Sequence, residues 1–217
     1  KWGMMDKQVA SKIREELSKH YPDKPALNFG SVYELLVAVI LSAQCTDERV
    51  NKVTRALFKD YNTPGKMITL TADELGKKIF SCGLYKSKAE HILSASKDII
   101  ERFGGEVPSS KEELMSLAGV GRKTANVVYS VGFKGNAIAV DTHVFRVTNR
   151  LGLADAPDVL KTEQQLMQSI PKDQWSRAHH WLIYHGRRVC AARKPACETC
   201  TLRAWCDYAN GNPKNKK

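Results

Sequence analysis

With 34 basic against 23 acidic residues, the 217-residue chain carries a formal charge of +11, and it is 42% hydrophobic and 26% charged. That is ordinary globular composition and excludes a disordered or fibrous chain. Setting aside Lys1 and the tail lysines Lys214, Lys216 and Lys217 still leaves +7, so the body itself is basic and calls for a polyanionic partner or an anionic surface.

Apolar residues recur at helical spacing along nearly the whole chain, which predicts an all-α fold. Ile13 and Leu17 mark a first helix, closed by Pro22 and Pro25. The run Leu35 to Leu41 is the longest apolar stretch, far short of the roughly 20 residues a spanning helix needs, so no membrane segment is expected. Val50, Val53 and Leu57 follow, up to Pro64-Gly65. Thr71-Ala-Asp-Glu74 and Ser109-Ser-Lys-Glu112 each set a hydroxyl three residues before a glutamate, predicting capped helices from near 72 and near 110. Between them lie Ile92 and Ile99, and the breakers Gly104-Gly105 and Pro108. Leu114, Leu117, Val127, Val128 and Val131 carry the pattern to Gly132–Gly135, and Val144, Val147 and Leu151 resume it. Ile138-Ala139-Val140 is too short to build a sheet and reads as an extended connector. About nine or ten helices are expected. The three residues before Met4 read as an expression scar, and residues 211–217 as a frayed tail. No apolar signal core opens the chain, which predicts a cytosolic, reducing location.

Three stretches carry candidate chemistry. Leu117-Ala-Gly-Val-Gly-Arg-Lys-Thr-Ala125 joins the helix beginning near Ser110 to one running to about Val131. Its two glycines permit a tight turn and close approach of a ligand to the backbone. The second helix's N-terminal amides then offer an anion site, reinforced by Arg122, Lys123 and Lys134 with no acid between 119 and 134, so a phosphodiester suits it. The alternative is a plain helical hairpin whose glycines only turn the chain. Lys123 sits in the first turn, where the helix dipole and Arg122 disfavour an ammonium, as a Schiff-base nucleophile requires. Without other information, a fully charged phosphate contact is the simpler reading of the same residue.

Val140-Asp-Thr-His-Val144 places Asp141 directly before a helix. It reads as an N-cap, and also as a carboxylate held ionised by capping amides and able to stabilise a cationic transition state. Cys190-x6-Cys197-x2-Cys200-x5-Cys206 gathers four soft ligands in 17 residues, a metal loop rather than a disulfide framework. The spacing alone leaves zinc and an iron-sulfur cluster both open. Arg187, Arg188, Arg193, Lys194 and Arg203 make the same stretch basic, as a loop held against a phosphate backbone would be. Cys45 and Cys82 read as small buried hydrophobes, and His179, His180 and His185 as hydrogen-bonding side chains rather than metal ligands.

The hairpin from Leu117 to Asn126, Val140-Asp-Thr-His143 and the four-cysteine spacing occur in one chain, in that order. Together they resemble the endonuclease III family of helix-hairpin-helix DNA glycosylases. Leu41-Ser-Ala-Gln-Cys-Thr-Asp47, Gly83-Leu-Tyr-Lys-Ser-Lys-Ala89 and His179-His-Trp-Leu-Ile-Tyr-His-Gly186 extend the resemblance from about Leu27 to Cys206. It implies a monomeric enzyme on damaged double-stranded DNA, with no obligate protein partner, cytoplasmic and associated with the nucleoid. Such an enzyme excises oxidised pyrimidines and then cuts the strand by β-elimination. Lys123 would be the nucleophile and Asp141 the assisting carboxylate. Cys190, Cys197, Cys200 and Cys206 would hold a 4Fe-4S cluster. Gln44 and Leu84 would enter the space left by the extruded nucleotide, although periodicity alone makes Leu84 a core residue. Gly119, Val120, Gly121, Arg122, Thr124, His143, Arg193 and Lys194 would contact DNA.

The resemblance further implies two helical domains flanking an active-site cleft: a six-helix domain with the hairpin over 25–135, and a cluster domain from 1–24 with 136–217. One departure is Ala118, where the family commonly has proline; freeing φ there predicts slightly looser binding rather than lost activity. Cys45 likewise stands where a smaller residue is common. Adenine-mismatch glycosylases of the same superfamily generally lack the hairpin lysine and carry a further C-terminal domain. A non-catalytic DNA-binding module would bind without cleaving, and a lone ferredoxin-like carrier fits poorly with the basic charge and large helical body.

Overall fold

The structure, a computed structural model, describes Gly3 and residues 5–211. Lys1, Trp2 and residues 212–217, which cover most of the expected scar and tail, lie outside the described residues. The described residues are helical, with no strand, and the chain divides into two compact units: Pro25–Gly135, and Lys1–Lys24 with Asn136–Lys217.

The contiguous unit holds α2 (Val32–Leu41), α3 (Asp47–Leu57), α4 (Pro64–Met67), α5 (Ala72–Ile79), α6 (Tyr85–Phe103), α7 (Lys111–Met115) and α8 (Arg122–Val127). The apolar run noted above is α2, buried on nearly every side at Tyr33 and from Leu35 to Leu41. A short helix that is apolar all round is a core helix, not a spanning one. The 19-residue α6 packs Ala89, Ile92, Ala95 and Ile99 into the same core with Val50, Leu75, Leu114 and Val128. Deep in it, the Tyr33 hydroxyl lies 2.7 Å from Ser96 Oγ, whose own proton goes to Ile92 O at 2.6 Å.

The discontinuous unit packs α1 (Lys7–His20) with α9 (Thr142–Leu151), α10 (Val159–Ser169) and α11 (Trp175–Arg188). Ile13 and Leu17 of α1 join Val144, Val147, Leu151, Trp181 and Leu182 in a second core. Residues 136–141 are extended and carry buried Ile138, Ala139 and Val140, as expected of a connector, and Ala139 O lies 2.7 Å from His179 Nδ1.

Two expectations need correcting. Eleven α-helices occur among the described residues, against the nine or ten counted; α4 spans only 4 residues, too few to display a period. The Thr71–Glu74 capping box is present, but the second cap is Ser110, which accepts from Glu113 N at 3.2 Å. Consecutive serines before consecutive glutamates leave the register of that box open by one residue. No helix among the described residues is long and apolar enough to cross a membrane.

Candidate functional site

Within the contiguous unit, the hairpin turns between α7 and α8. Only Gly119 needs a glycine's backbone freedom, at φ +75°, and a Cβ there would lie 2.8 Å from His91 Cβ on α6. Gly121 is extended (φ −88°, ψ −178°), serves as the N-cap of α8 and has open space where a Cβ would point. No side chain caps that helix end. Its first-turn amides therefore face outward as donors in the way an anion requires. Val120 is buried and anchors the turn, Arg122 is exposed, and Lys123 and Thr124 are half-buried. After Val127 the helix widens into a π turn, Val128–Gly132, ending one residue beyond the expected Val131.

Gln44 follows α2 and Leu84 precedes α6, and both adopt left-handed backbone conformations (φ 52° and 47°). Among the described residues Lys134 and Lys194 are the other non-glycines with positive φ. Leu84 is 55% exposed. The core position that periodicity gives it is thus wrong: as the residue before the first turn of α6, it does not share that helix's buried face.

In the discontinuous unit, Asp141 caps α9, its Oδ1 accepting from Val144 N at 2.8 Å. This is the N-cap expected from the sequence. His143, one turn into the helix, is half-buried and has Arg146 Nη2 3.1 Å from its Nδ1. Desolvation holds its pKa below the usual histidine value, with Arg146 and Arg187 pushing the same way and Asp141 opposing them.

Arg146 and Arg150, which sequence reasoning passed over, fasten the cysteine loop to α9. Arg146 donates to Gly186 O (2.9 Å) and Cys190 O (3.0 Å). Arg150 donates to Ala191 O (2.8 Å) and Ala192 O (3.0 Å), and its Nη1 lies 3.5 Å from Cys190 Sγ. Arginines at i, i+4 on a predicted helix were a legible signal, but nothing in sequence named their partners. Gly186 lets the helices meet: a Cβ there would lie 3.0 Å from Val147 Cγ2 and 3.1 Å from His143 Cβ. Arg193 and Lys194 are exposed on the far side of the loop.

Cys190, Cys197, Cys200 and Cys206 line one recess, walled also by Leu151, Val189 and Tyr208. Among the described residues no three Cys, His, Asp or Glu side chains converge closely enough to hold a single metal ion. Four thiols around a shared hollow suit a centre larger than one ion. Burial raises the Cys200 and Cys206 thiols above their ordinary value, so keeping them ionised takes a strongly cationic centre. The four cysteines lining one recess fit an iron-sulfur cluster. Cys82 is buried as expected, whereas Cys45 is only half-buried. His185 does meet a thiol, its Nε2 3.7 Å from Cys200 Sγ, while its Nδ1 lies 2.9 Å from the Tyr21 hydroxyl.

A family model described as "HhH-GPD superfamily base excision DNA repair protein" matches residues 37–172. The chain belongs to that superfamily. Endonuclease III of Haemophilus influenzae is 47% identical to this HhH-GPD chain over 201 residues, covering 93% of the chain and 94% of the relative. Endonuclease III of Bacillus subtilis is 51% identical over 186 residues, 85% and 84% respectively. Among solved structures, a trapped endonuclease III–DNA covalent intermediate superimposes with a TM-score of 0.90 at 47% identity, covering 95% of this chain and 98% of that one. A thermostable thymine-DNA glycosylase gives 0.83 at 25% identity, covering 94% and 96%.

Proposed function

We propose that this HhH-GPD chain is a bifunctional DNA glycosylase and abasic-site lyase of base excision repair, removing oxidised pyrimidines from duplex DNA. The observation that carries the reading is Lys123: an amine in the first turn of α8, behind a glycine turn, in a chain that matches endonuclease III over nearly its whole length. Likeness to a trapped endonuclease III–DNA covalent intermediate supports it, because trapping a protein on DNA needs a nucleophile of this kind.

Docking rests on phosphate contacts from the hairpin residues Gly119, Val120 and Gly121 and on Arg122, Thr124, His143, Arg193 and Lys194. The damaged nucleotide leaves the stack, and Gln44 and Leu84 fill its place, offsetting an unstacking cost of about a few kcal/mol. Lys123 Nζ bonds to C1′ while the C1′–N bond to the base breaks, and the proton that the nitrogen sheds on bonding goes to the departing base. Asp141 stabilises the cationic sugar in that transition state and manages a proton during ring opening. The resulting iminium acidifies C2′–H; loss of that proton expels the 3′ phosphate, and water then releases Lys123.

Cys190, Cys197, Cys200 and Cys206 would hold the 4Fe-4S cluster. When bound, it supplies a cross-link from the end of α11 to the C-terminal segment. Arg146 and Arg150 hold the intervening loop so that Arg193 and Lys194 present their charges together. The domain assignment belongs to the same proposal: hairpin domain over 25–135 and cluster domain from 1–24 with 136–217. So does action as a monomer in the cytoplasm, beside the nucleoid. Borohydride should trap the protein on duplex DNA containing thymine glycol, and Lys123→Ala should abolish trapping; persistent trapping in that variant refutes the assignment.

A further inference from the structure

Lys88, on the inner face of α6, is 4% exposed. Its ammonium donates to Leu41 O at 2.8 Å, to Ala43 O at 2.7 Å and to Cys82 O at 3.0 Å. Those three bonds use every donor the group has. The ionisable groups acting on it are the thiols of Cys45 and Cys82, and desolvation holds its pKa below the usual lysine value. A buried cation satisfied by carbonyls alone is a costly choice where a methionine of similar length would pack.

The acceptors explain the choice. Leu41 O and Ala43 O belong to the end of α2 and the turn after it, which carries Gln44; Cys82 O belongs to the turn that carries Leu84. Gln44 and Leu84 are the two left-handed non-glycines of these turns. Such conformations are strained and persist where the surroundings over-determine them. One nitrogen thus ties together both turns whose strained residues project outward.

We propose that Lys88 is a positioning residue that locks the turns bearing Gln44 and Leu84 into a single rigid wedge, so that both side chains enter the duplex together. The inference rests on the glycosylase reading above and adds to it a residue that touches neither DNA nor the reacting atoms.

The test compares two substrates: excision of thymine glycol from a duplex, which needs the wedge, and borohydride trapping on a single-stranded oligonucleotide with an abasic site, which does not. Lys88→Met should lower the duplex rate by about tenfold or more while changing single-strand trapping by less than about threefold. Gln44→Ala with Leu84→Ala should give the same split, and adding Lys88→Met to that pair should cost no more than about twofold further, since coupled residues do not act independently. A residue that merely caps α2 would lower both activities alike. Equal losses on the two substrates, or losses that multiply in the triple variant, overturn the proposal. Should Lys88→Met fail to fold, Lys88→Arg decides, because it keeps the charge but cannot set one nitrogen among three carbonyls; a folded Lys88→Arg with an undiminished duplex rate refutes the role. A wild-type protein inactive on both substrates refutes the glycosylase reading instead.

Discussion

Two glycines of one turn should respond in opposite ways to the same added methyl group. At Gly119 an alanine would have to hold φ near +75°, which disfavours an L-residue by about 1–2 kcal/mol. Its Cβ would also sit 2.8 Å from His91 Cβ, an atom at the root of a side chain on α6 that moves only with the helix. Overpacking of that kind costs about 1–3 kcal/mol, so Gly119→Ala should destabilise the protein by about 2–5 kcal/mol. At Gly121 the backbone already suits any residue and the methyl would meet no protein atom. The loss there is confined to a weaker N-cap, under about 1 kcal/mol. Yet the same methyl occupies the space through which a phosphate would reach the amides of α8, so Gly121→Ala should weaken duplex binding by about tenfold. Urea unfolding of each variant, with unchanged slope, and a binding titration at fixed salt measure both effects. Equal destabilisation by the two substitutions, or unaltered DNA affinity in Gly121→Ala, would refute the reasoning.

Asp141→Asn keeps a side-chain oxygen for the amide of Val144, so thermal stability should move by less than about 1 kcal/mol while strand cleavage falls by about a hundredfold or more; a matching loss of both would leave the residue a cap only. Cys200→Ser should deplete iron and acid-labile sulfide from about four of each per chain and bleach the visible absorption, as measured on purified protein. Burial lowers the His180 pKa to about 3, with His179 adding to the shift and Asp23 opposing it. Between pH 6.5 and 3 the unfolded state therefore binds the extra proton, and stability drops by up to about 1.4 kcal/mol per pH unit, or about 2 kcal/mol by pH 5. His180→Gln should flatten this limb of a stability-against-pH curve, and an unchanged slope would remove His180 as its source. Tyr33→Phe removes one buried hydroxyl from Ser96 and should cost about 1 kcal/mol in the same urea assay.

Periodicity and breakers located α1, α3, α6 and α9 because each buries one face, and the four cysteines announced a metal loop through spacing alone. Length defeated the same signal at α4. The choice between zinc and an iron-sulfur cluster came from family likeness, since a linear spacing does not encode it. Leu84 misled because its outward path is set by a left-handed φ that no residue type other than glycine or asparagine advertises. Lys88 was hidden for the converse reason: lysine reads as surface, and the three carbonyls that admit it to the interior come from turns about 45 and 6 residues away in sequence. Asp141 was legible as a cap, and its chemistry was legible through family likeness rather than through geometry.

The discontinuity of the second unit bears on how the chain is made. The helix Lys7–His20 leaves the ribosome early, but the residues that bury Ile13 and Leu17 start with Ile138. At about 5–20 residues per second, translation of the intervening segment lasts roughly 5–20 seconds. During that time Pro25–Gly135 has everything it needs to collapse, whereas the first-made helix must wait with its greasy stripe uncovered. Lys7–His20 is thus made before the core it joins and matures only with it, and nascent chains stalled before residue 138 should be the ones that chaperones retain.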